Sequence, residues 1–457
     1  MSMLITLLGA AAPLLTFTPP APAVASPASL PVAVLAQEAE PSAFDPAASL
    51  QAAVDLPTAE QRHKAAVELA KHGEVKLDQW LQLAADFGDF KAHEPGTHMQ
   101  EVSLQVGDQI ELTQLHYWVP DSYDPGKPTP MLLALHGAGG IGLSEVETWQ
   151  RFATDLNMLI LAPTDAGANL GYTFEPRERQ ASLAALRWFR RNFNVDENRI
   201  HLTGVSRGGH LCWELALRHP QHWASVVPRI GGPALSINGG RNTIRLAPNL
   251  AHVPLRLLQG MRDDSKMIVN QNLLFLRLAE LDAPNAKFVK FEDMGHSYDL
   301  KAVDFVKFFG ASVRNPEAKR LSFCTVREED HEMYWLSIDR LDSGAKEDFQ
   351  LRVDPDQWNS WDHARKAHFI QLEANKRTGE IHSEAGEPGR FKLRGQLVRK
   401  LRLLLPKSML DEKGRVEVFF KGKTRKKKPK LSSKVLLLHF VENFDRSFLP
   451  VCEVRLS

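Results

Sequence analysis

Ser206 stands in Gly204-Val205-Ser206-Arg207-Gly208-Gly209, between an apolar run, Ile200–Thr203, and a helical stretch, His210–Arg218. A sharp strand-to-helix turn lifts such a serine clear of a sheet. Crowding at the turn admits only small neighbours, hence Gly204 and Gly208. A serine hydroxyl is a weak nucleophile until a base takes its proton. His296, in Gly295-His296-Ser297 after the apolar run Phe288–Phe291, can supply that base. Asp263, in Gly260-Met261-Arg262-Asp263-Asp264 after Leu255–Leu258, can orient the imidazole and stabilise its cation; Asp264 is the alternative. His136-Gly137-Ala138-Gly139-Gly140 follows Met131–Leu135 and lets backbone N–H groups turn toward an oxyanion. Ala138 is the first choice of donor there and Gly139 the second, with the Arg207 N–H at the following helix start as partner. His210, just past the serine, reads as a packing or pocket residue. Nucleophile, acid and base arrive in the order Ser206, Asp263, His296, each after a candidate strand. The chemistry is acyl transfer through a covalent intermediate, with no metal or cofactor implied.

The elements that must position these residues are legible as short apolar runs separated by amphipathic stretches. The runs are Met131–Leu135, Met158–Ala162, Ile200–Thr203, Ala224–Val227, Leu255–Leu258 and Phe288–Phe291. Arg177–Phe193, Gly209–Arg218, Met267–Leu281 and Ala302–Phe309 have helical spacing. Strands alternating with helices predict a doubly wound, mostly parallel α/β sheet covered on both faces. Two antiparallel strands, Val102–Val106 and Ile110–Val119, precede the six parallel candidates. Val227–Val253 carries little regular pattern and is short for a lid, which predicts an open site suited to bulky esters. Tyr172 and Phe174, in a loop after a strand, are candidate substrate contacts.

The charge is unevenly spread. From Arg320 onward there are 28 Lys and Arg against 21 Asp and Glu, although the whole chain is +1. This predicts two domains with different surfaces and gives the chain as a whole no bias toward nucleic acid. Residues 98–315 are assigned to the catalytic domain. Residues 320–457 read as a β-sandwich-like accessory domain with strands at Tyr334–Asp339, Phe349–Val353, Leu397–Leu405, Val416–Phe420 and Val435–Phe440. Its basic run, Lys421–Lys430, predicts a solvated hairpin with contact to an acidic polymer as the alternative. Residues 57–97 form a helical segment expected to pack on the catalytic domain, and residues 37–56, rich in Ala and Pro, a linker. Residues 1–36 read as a signal peptide: Met3–Phe17 is apolar and A-x-A-type sites follow, although the first basic residue is Arg62. The expected location is outside the cytoplasm, with no membrane span in the mature chain. Three cysteines, Cys212, Cys324 and Cys452, match no metal spacing. They read as buried thiols, with a Cys324–Cys452 pair as the alternative.

Residues 98–312 resemble the esterase and prolyl-oligopeptidase-like branch of the α/β-hydrolase superfamily, which includes feruloyl-esterase-like and polyhydroxybutyrate-depolymerase-like enzymes. The resemblance is carried by His136–Gly140, Gly204–Gly209, Gly260–Asp263 and Gly295–Ser297. It implies Ser206 as nucleophile, His296 as base, Asp263 as acid, and Ala138 with Arg207 as oxyanion donors. The C-terminal part resembles, in Met333–Leu341 and Val416–Lys423, an accessory domain of some bacterial secreted hydrolases, which implies no activity. The expectation is an exported carboxylesterase acting on a small-molecule or polymeric ester. A serine peptidase of the same branch is the first alternative, weakened because no internal repeat supplies a β-propeller. A non-catalytic surface-binding protein on a hydrolase scaffold is the second.

Overall fold

Side chains alternate across a strand, so Met131, Leu133 and Leu135 face one way and Leu132 and Ala134 the other; all five are fully buried. A strand apolar on both faces needs cover on both, and two separate cores provide it. Met131, Leu133 and Leu135 join one with Leu186, Phe189, Leu211, Leu215 and Leu274. Leu132 and Ala134 join another with Val146, Trp149, Phe305 and Phe309.

The computed structural model describes residues 44–164, 176–236 and 241–457. The signal segment, residues 37–43 of the expected linker, Tyr172 and Phe174 lie outside the described residues. Three helices come first: α1 Pro46–Asp55, α2 Ala59–Leu69 and α3 Leu77–Ala85. The main sheet follows, with β1 Gly96–Val106, β2 Gln109–Val119, β3 Thr129–Leu135, β4 Leu159–Thr164, β5 Val195–Val205, β6 Ser225–Arg229, β7 Leu255–Gly260 and β8 Ala286–Phe291. Between its strands run α4 Gly142–Asp155, α5 Pro176–Asn192, α6 Arg207–Arg218 and α7 Ser265–Glu280, and α8 Phe305–Ala311 comes after β8. The spatial order is β1-β2-β4-β3-β5-β6-β7-β8. The pairs β1–β2 and β2–β4 are antiparallel, and β3 to β8 run parallel. Helices α5, α6 and α7 cover one face and α4 and α8 the other.

The C-terminal part has two sheets. One runs β10 Glu332–Met333, β11 Leu336–Leu341, β14 Val398–Leu405, β17 Cys452–Leu456; the other runs β16 Lys423–Lys427, β15 Val416–Phe420, β13 Arg390–Gln396, β12 Gly379–Ala385, β9 Arg320–Thr325. Leu336, Leu401 and Val454 from the first share one core with Phe323, Ile381, Leu393 and Val418 from the second, which makes a sandwich. Lys421 and Gly422 both have positive φ, 52° and 72°, and turn β15 into β16. A cationic edge strand of this kind discourages pairing with other chains.

Several sequence expectations need correction. Residues 46–55, read as linker, form α1 because Asp45 caps its start and Leu50, Ala53 and Val54 bury. Val435–Phe440, read as a strand, lies in a helix, α11 Ser433–Asn443. Ser432 caps it, and its buried Leu436, Leu437, Phe440 and Val441 have helical spacing. Phe349–Val353 is not a strand. Two helices that the sequence reading missed follow it, α9 Pro355–Ser360 and α10 His363–Asn375, the first capped by Asp354. The N-terminal helices dock largely on α11, where Arg62 pairs with Glu442, rather than on the main sheet alone. All three cysteines are free and buried; Cys324 and Cys452 lie in different sheets.

Residues 45–457 form one compact unit. Buried polar contacts tie the main sheet to the sandwich. Arg218 bridges Glu214 and Asp330, and Arg446 reaches Glu197. Arg314 grips Asp445 through two hydrogen bonds of 2.7 and 3.0 Å. Burial alone would raise the Asp445 carboxyl, but the Arg314 guanidinium outweighs it and holds it far below the usual carboxylate range. Breaking one side of such a pair leaves an uncompensated buried charge. Asp445→Asn is therefore predicted to destabilise the whole unit by about 3–5 kcal/mol. Denaturant melts that follow both sheets should show this as one transition moved to lower denaturant.

Candidate active site

Ser206 closes β5 and opens α6 with φ 53° and ψ −111°, a conformation that L residues rarely adopt. Two backbone bonds hold it there: its N–H donates to the Arg229 carbonyl at 2.9 Å, and its carbonyl accepts the His210 N–H at 3.0 Å. The turn is tight. A Cβ on Gly204 would sit 2.1 Å from the Gly208 carbonyl, and one on Gly208 would sit 2.1 Å from the Leu135 carbonyl. No side chain fits either gap, which is why the flanking positions are glycine.

The loops after β7 and β8 carry the other two residues and are joined to each other. Met261 N–H donates to Phe291 O at 2.9 Å and Arg262 N–H to Met294 O at 2.8 Å. A Cβ on Gly260 would fall 2.0 Å from the Gly295 carbonyl, so the close approach requires glycine. His296 Nδ1 lies 2.7 Å from Asp263 Oδ2, and its Nε2 lies 2.8 Å from Ser206 Oγ. The His296 ring is half exposed, while the Asp263 side chain is mostly buried.

Burial would raise the Asp263 carboxyl. Hydrogen bonds from His296, the Asp264 N–H and Gln259 outweigh it and hold the group below its ordinary value. The Gln259 contact was missed by sequence reasoning. Gln259 is fully buried on β7, donates to Asp263 Oδ2 at 2.9 Å, and accepts from buried Gln271 at 2.7 Å. Gln271 in turn donates to Gly231 O at 3.1 Å. The available signal was a single amide closing the apolar run Leu255–Leu258. Asp264, the alternative acid, instead caps α7 by accepting the Lys266 and Met267 N–H groups at 2.9 Å each.

The turn after β3 lies against the serine: a Cβ on Gly137 would be 3.5 Å from Ser206 Cβ. Gly140 N–H donates back to Gly137 O at 3.2 Å, and Gly139 between them has φ 67°. Ala138 and Gly139 therefore sit in a tight turn beside Ser206, and Arg207 is the first residue of α6, where N–H groups have no intrahelical acceptor. His136 is fully buried with Nδ1 2.7 Å from Gly137 O. His210 contacts Gly232 O at 2.7 Å through Nδ1, and burial lowers its pKa.

The described part of Val227–Val253 after residue 240 is built into the core. Ile244–Leu250 forms a buried 3₁₀ turn, Asn249 bonds Leu217 O and the Cys324 backbone, and Arg245 bonds Lys346 O and Glu347 O. It lies between α6 and the C-terminal part. A cleft of about 310 Å³, lined by His210, Gly232, Leu235, Met267 and Asn270, lies on the side of His210, the residue whose N–H bonds the Ser206 carbonyl. A larger one, about 780 Å³, lies at the far end of α6 between Arg218, His222, Asp330 and His439. Among the described residues no group of three or more His, Cys, Asp or Glu is placed to hold a metal ion, and no helix is long and apolar enough to cross a membrane.

An eight-stranded sheet of this order, with a serine at the β5–α6 turn and acid and histidine loops after β7 and β8, defines the α/β-hydrolase fold. No protein-family model matches the chain. In sequence it is similar to Feruloyl esterase C of Emericella nidulans, 24% identical over 159 residues, which are 34% of this chain and 59% of that protein. It is also similar to Probable feruloyl esterase C of Aspergillus flavus, 27% identical over 134 residues, 28% of this chain and 49% of that one. The chain thus spans about half the length of the curated relatives it matches. Among solved structures it is similar to a ferulic acid esterase, 16% identical over 47% of this chain and 98% of that one, TM-score 0.38. It is similar also to Pyrococcus horikoshii acylaminoacyl peptidase, 14% identical over 49% of this chain and 43% of that one, TM-score 0.39.

Gln259→Leu removes one of the donors that favour ionised Asp263. The variant should keep its fold, lose about tenfold in kcat, and show the acid side of its activity profile moved to higher pH. A profile of kcat/KM against pH for both proteins checks this.

Proposed function

We propose that this chain is an exported serine hydrolase that cleaves carboxylic esters through an acyl-enzyme. The observation that carries the proposal is the continuous relay from Asp263 through His296 to Ser206, with contacts of 2.7 and 2.8 Å. Ser206 Oγ attacks the ester carbonyl as His296 Nε2 takes its proton. Asp263 accepts the Nδ1–H bond, fixes the tautomer and stabilises the imidazolium. The Arg207 and Ala138 N–H groups, with Gly139 as the alternative donor, receive the oxyanion. His296 then protonates the leaving alcohol, and water repeats the sequence to release the acid.

The sequence similarity to feruloyl esterases favours esters over amides, and the substrate class we propose is acylated polysaccharide or another bulky ester. The cleft beside His210 and Met267 offers room for the group flanking the scissile bond. The exposed lysines of Lys421–Lys430 give an acidic polymer a place to rest.

A fluorophosphonate probe should label the wild type but not Ser206→Ala, and Ser206→Ala or His296→Ala should lose roughly 10⁶-fold in kcat. A panel of p-nitrophenyl esters, feruloyl and acetyl saccharides and peptide amides should give turnover on esters first. Preferential cleavage of amides would replace the esterase reading with a peptidase. A folded wild type that neither labels nor turns over any substrate would leave a binding protein on a hydrolase scaffold.

A further inference from the structure

Arg229 is fully buried at the last position of β6. Its carbonyl accepts the Ser206 N–H, so it lies directly beneath the nucleophile turn. Its guanidinium pairs with Glu145, buried in the first turn of α4, the helix that begins just after the His136–Gly140 turn. Its other terminal nitrogen donates to the Tyr298 hydroxyl at 2.8 Å, two residues beyond His296. The guanidinium also lies 5.1 Å from the Trp149 ring centre and 5.4 Å from that of Tyr298, and Trp149 Nε1 donates to the same Glu145 carboxylate at 3.3 Å. Arg229 therefore holds the Ser206 turn through its backbone carbonyl, and through its guanidinium the segment just after His296 and the helix that follows the His136–Gly140 turn. Burial would favour losing its proton; Glu145 and Tyr298 outweigh that and keep it charged.

Apolar side chains could fill this volume with no desolvation of charge. They could not fix α4 and the segment after β8 in direction against β6, which a planar guanidinium with several donors does. We infer that Arg229, with Glu145 and Tyr298, is a positioning clamp that sets the His296 loop and the oxyanion turn against Ser206. The clamp does not touch substrate. It rests on the reading of Ser206 and His296 as nucleophile and base.

The test uses the full chain and a small p-nitrophenyl ester, with Tyr298→Phe, Arg229→Lys and the double variant. Tyr298→Phe removes one hydroxyl, so its melting temperature should stay near that of the wild type. Its kcat should fall about tenfold with KM within about twofold, because a misplaced base costs rate rather than binding; a full 1 Å error can cost about 100-fold. If both residues act through one contact, the double variant should be no slower than Arg229→Lys alone. A wild-type kcat for Tyr298→Phe, or losses that multiply in the double variant, would overturn the clamp. Should Arg229→Lys fail to fold, Tyr298→Phe decides alone. A wild type that fails to hydrolyse esters or to label at Ser206 removes the reading beneath the clamp, and so is distinguishable from failure of the clamp itself.

Discussion

At Ser206 the chain turns from strand to helix through φ 53°, a conformation that costs a non-glycine residue about 1–3 kcal/mol. Everything near it opposes relaxation of that turn. Gly204 lies against Gly208, Gly208 against the end of β3, and the Arg229 carbonyl holds the Ser206 N–H. The strain has a geometric return. It presents Oγ at the C-terminal edge of a parallel sheet, where the loops after β7 and β8 can meet it. The same crowding puts Gly137 close to Ser206, so the serine and the His136–Gly140 turn are set by one group of contacts.

A turn held this way needs a rigid floor, and much of the floor is polar. Arg229 under the turn, Gln259 under the acid and Gln271 behind it are all fully buried. Farther out, Arg179, Glu214, Arg218 and Asp330 form a chain of buried charges from α5 through α6 into the C-terminal part. Such networks contribute little net stability against an apolar core, but each member is costly to remove alone. They explain why the sandwich and the main sheet form one unit rather than two modules on a linker. The segment Ile244–Leu250 adds to this union by burying itself between them.

The sheet, and the meeting of Ser206, Asp263 and His296 at its edge, were legible because both depend on local pattern. Each of the three follows an apolar run, and each run became a strand. Spacing favours Asp263 over Asp264; Asp263 is the one that contacts His296, while Asp264 caps α7. What escaped the sequence depends on distant contacts. Val435–Phe440 is apolar apart from His439, so period alone does not separate strand from helix; its docking against α2 and α3 belongs to the tertiary structure. Residues 46–55 look like linker by composition, and they fold because Arg187 and α11 meet them. Arg229 and Gln259 are visible in the sequence only as single polar residues at the ends of apolar runs; Tyr298 lies 69 residues beyond Arg229, and Gln271, 12 residues beyond Gln259, meets it only because α7 packs back on β7.

The account turns on Ser206 forming a covalent acyl bond. The direct measurement is intact-protein mass spectrometry of the chain quenched in acid during turnover of a slowly deacylating ester. The account predicts a species heavier by one acyl group, mapped by digestion to the peptide containing Ser206 and absent from Ser206→Ala. Rapid turnover of that ester by Ser206→Ala, or an acyl group mapped to another residue, would contradict it.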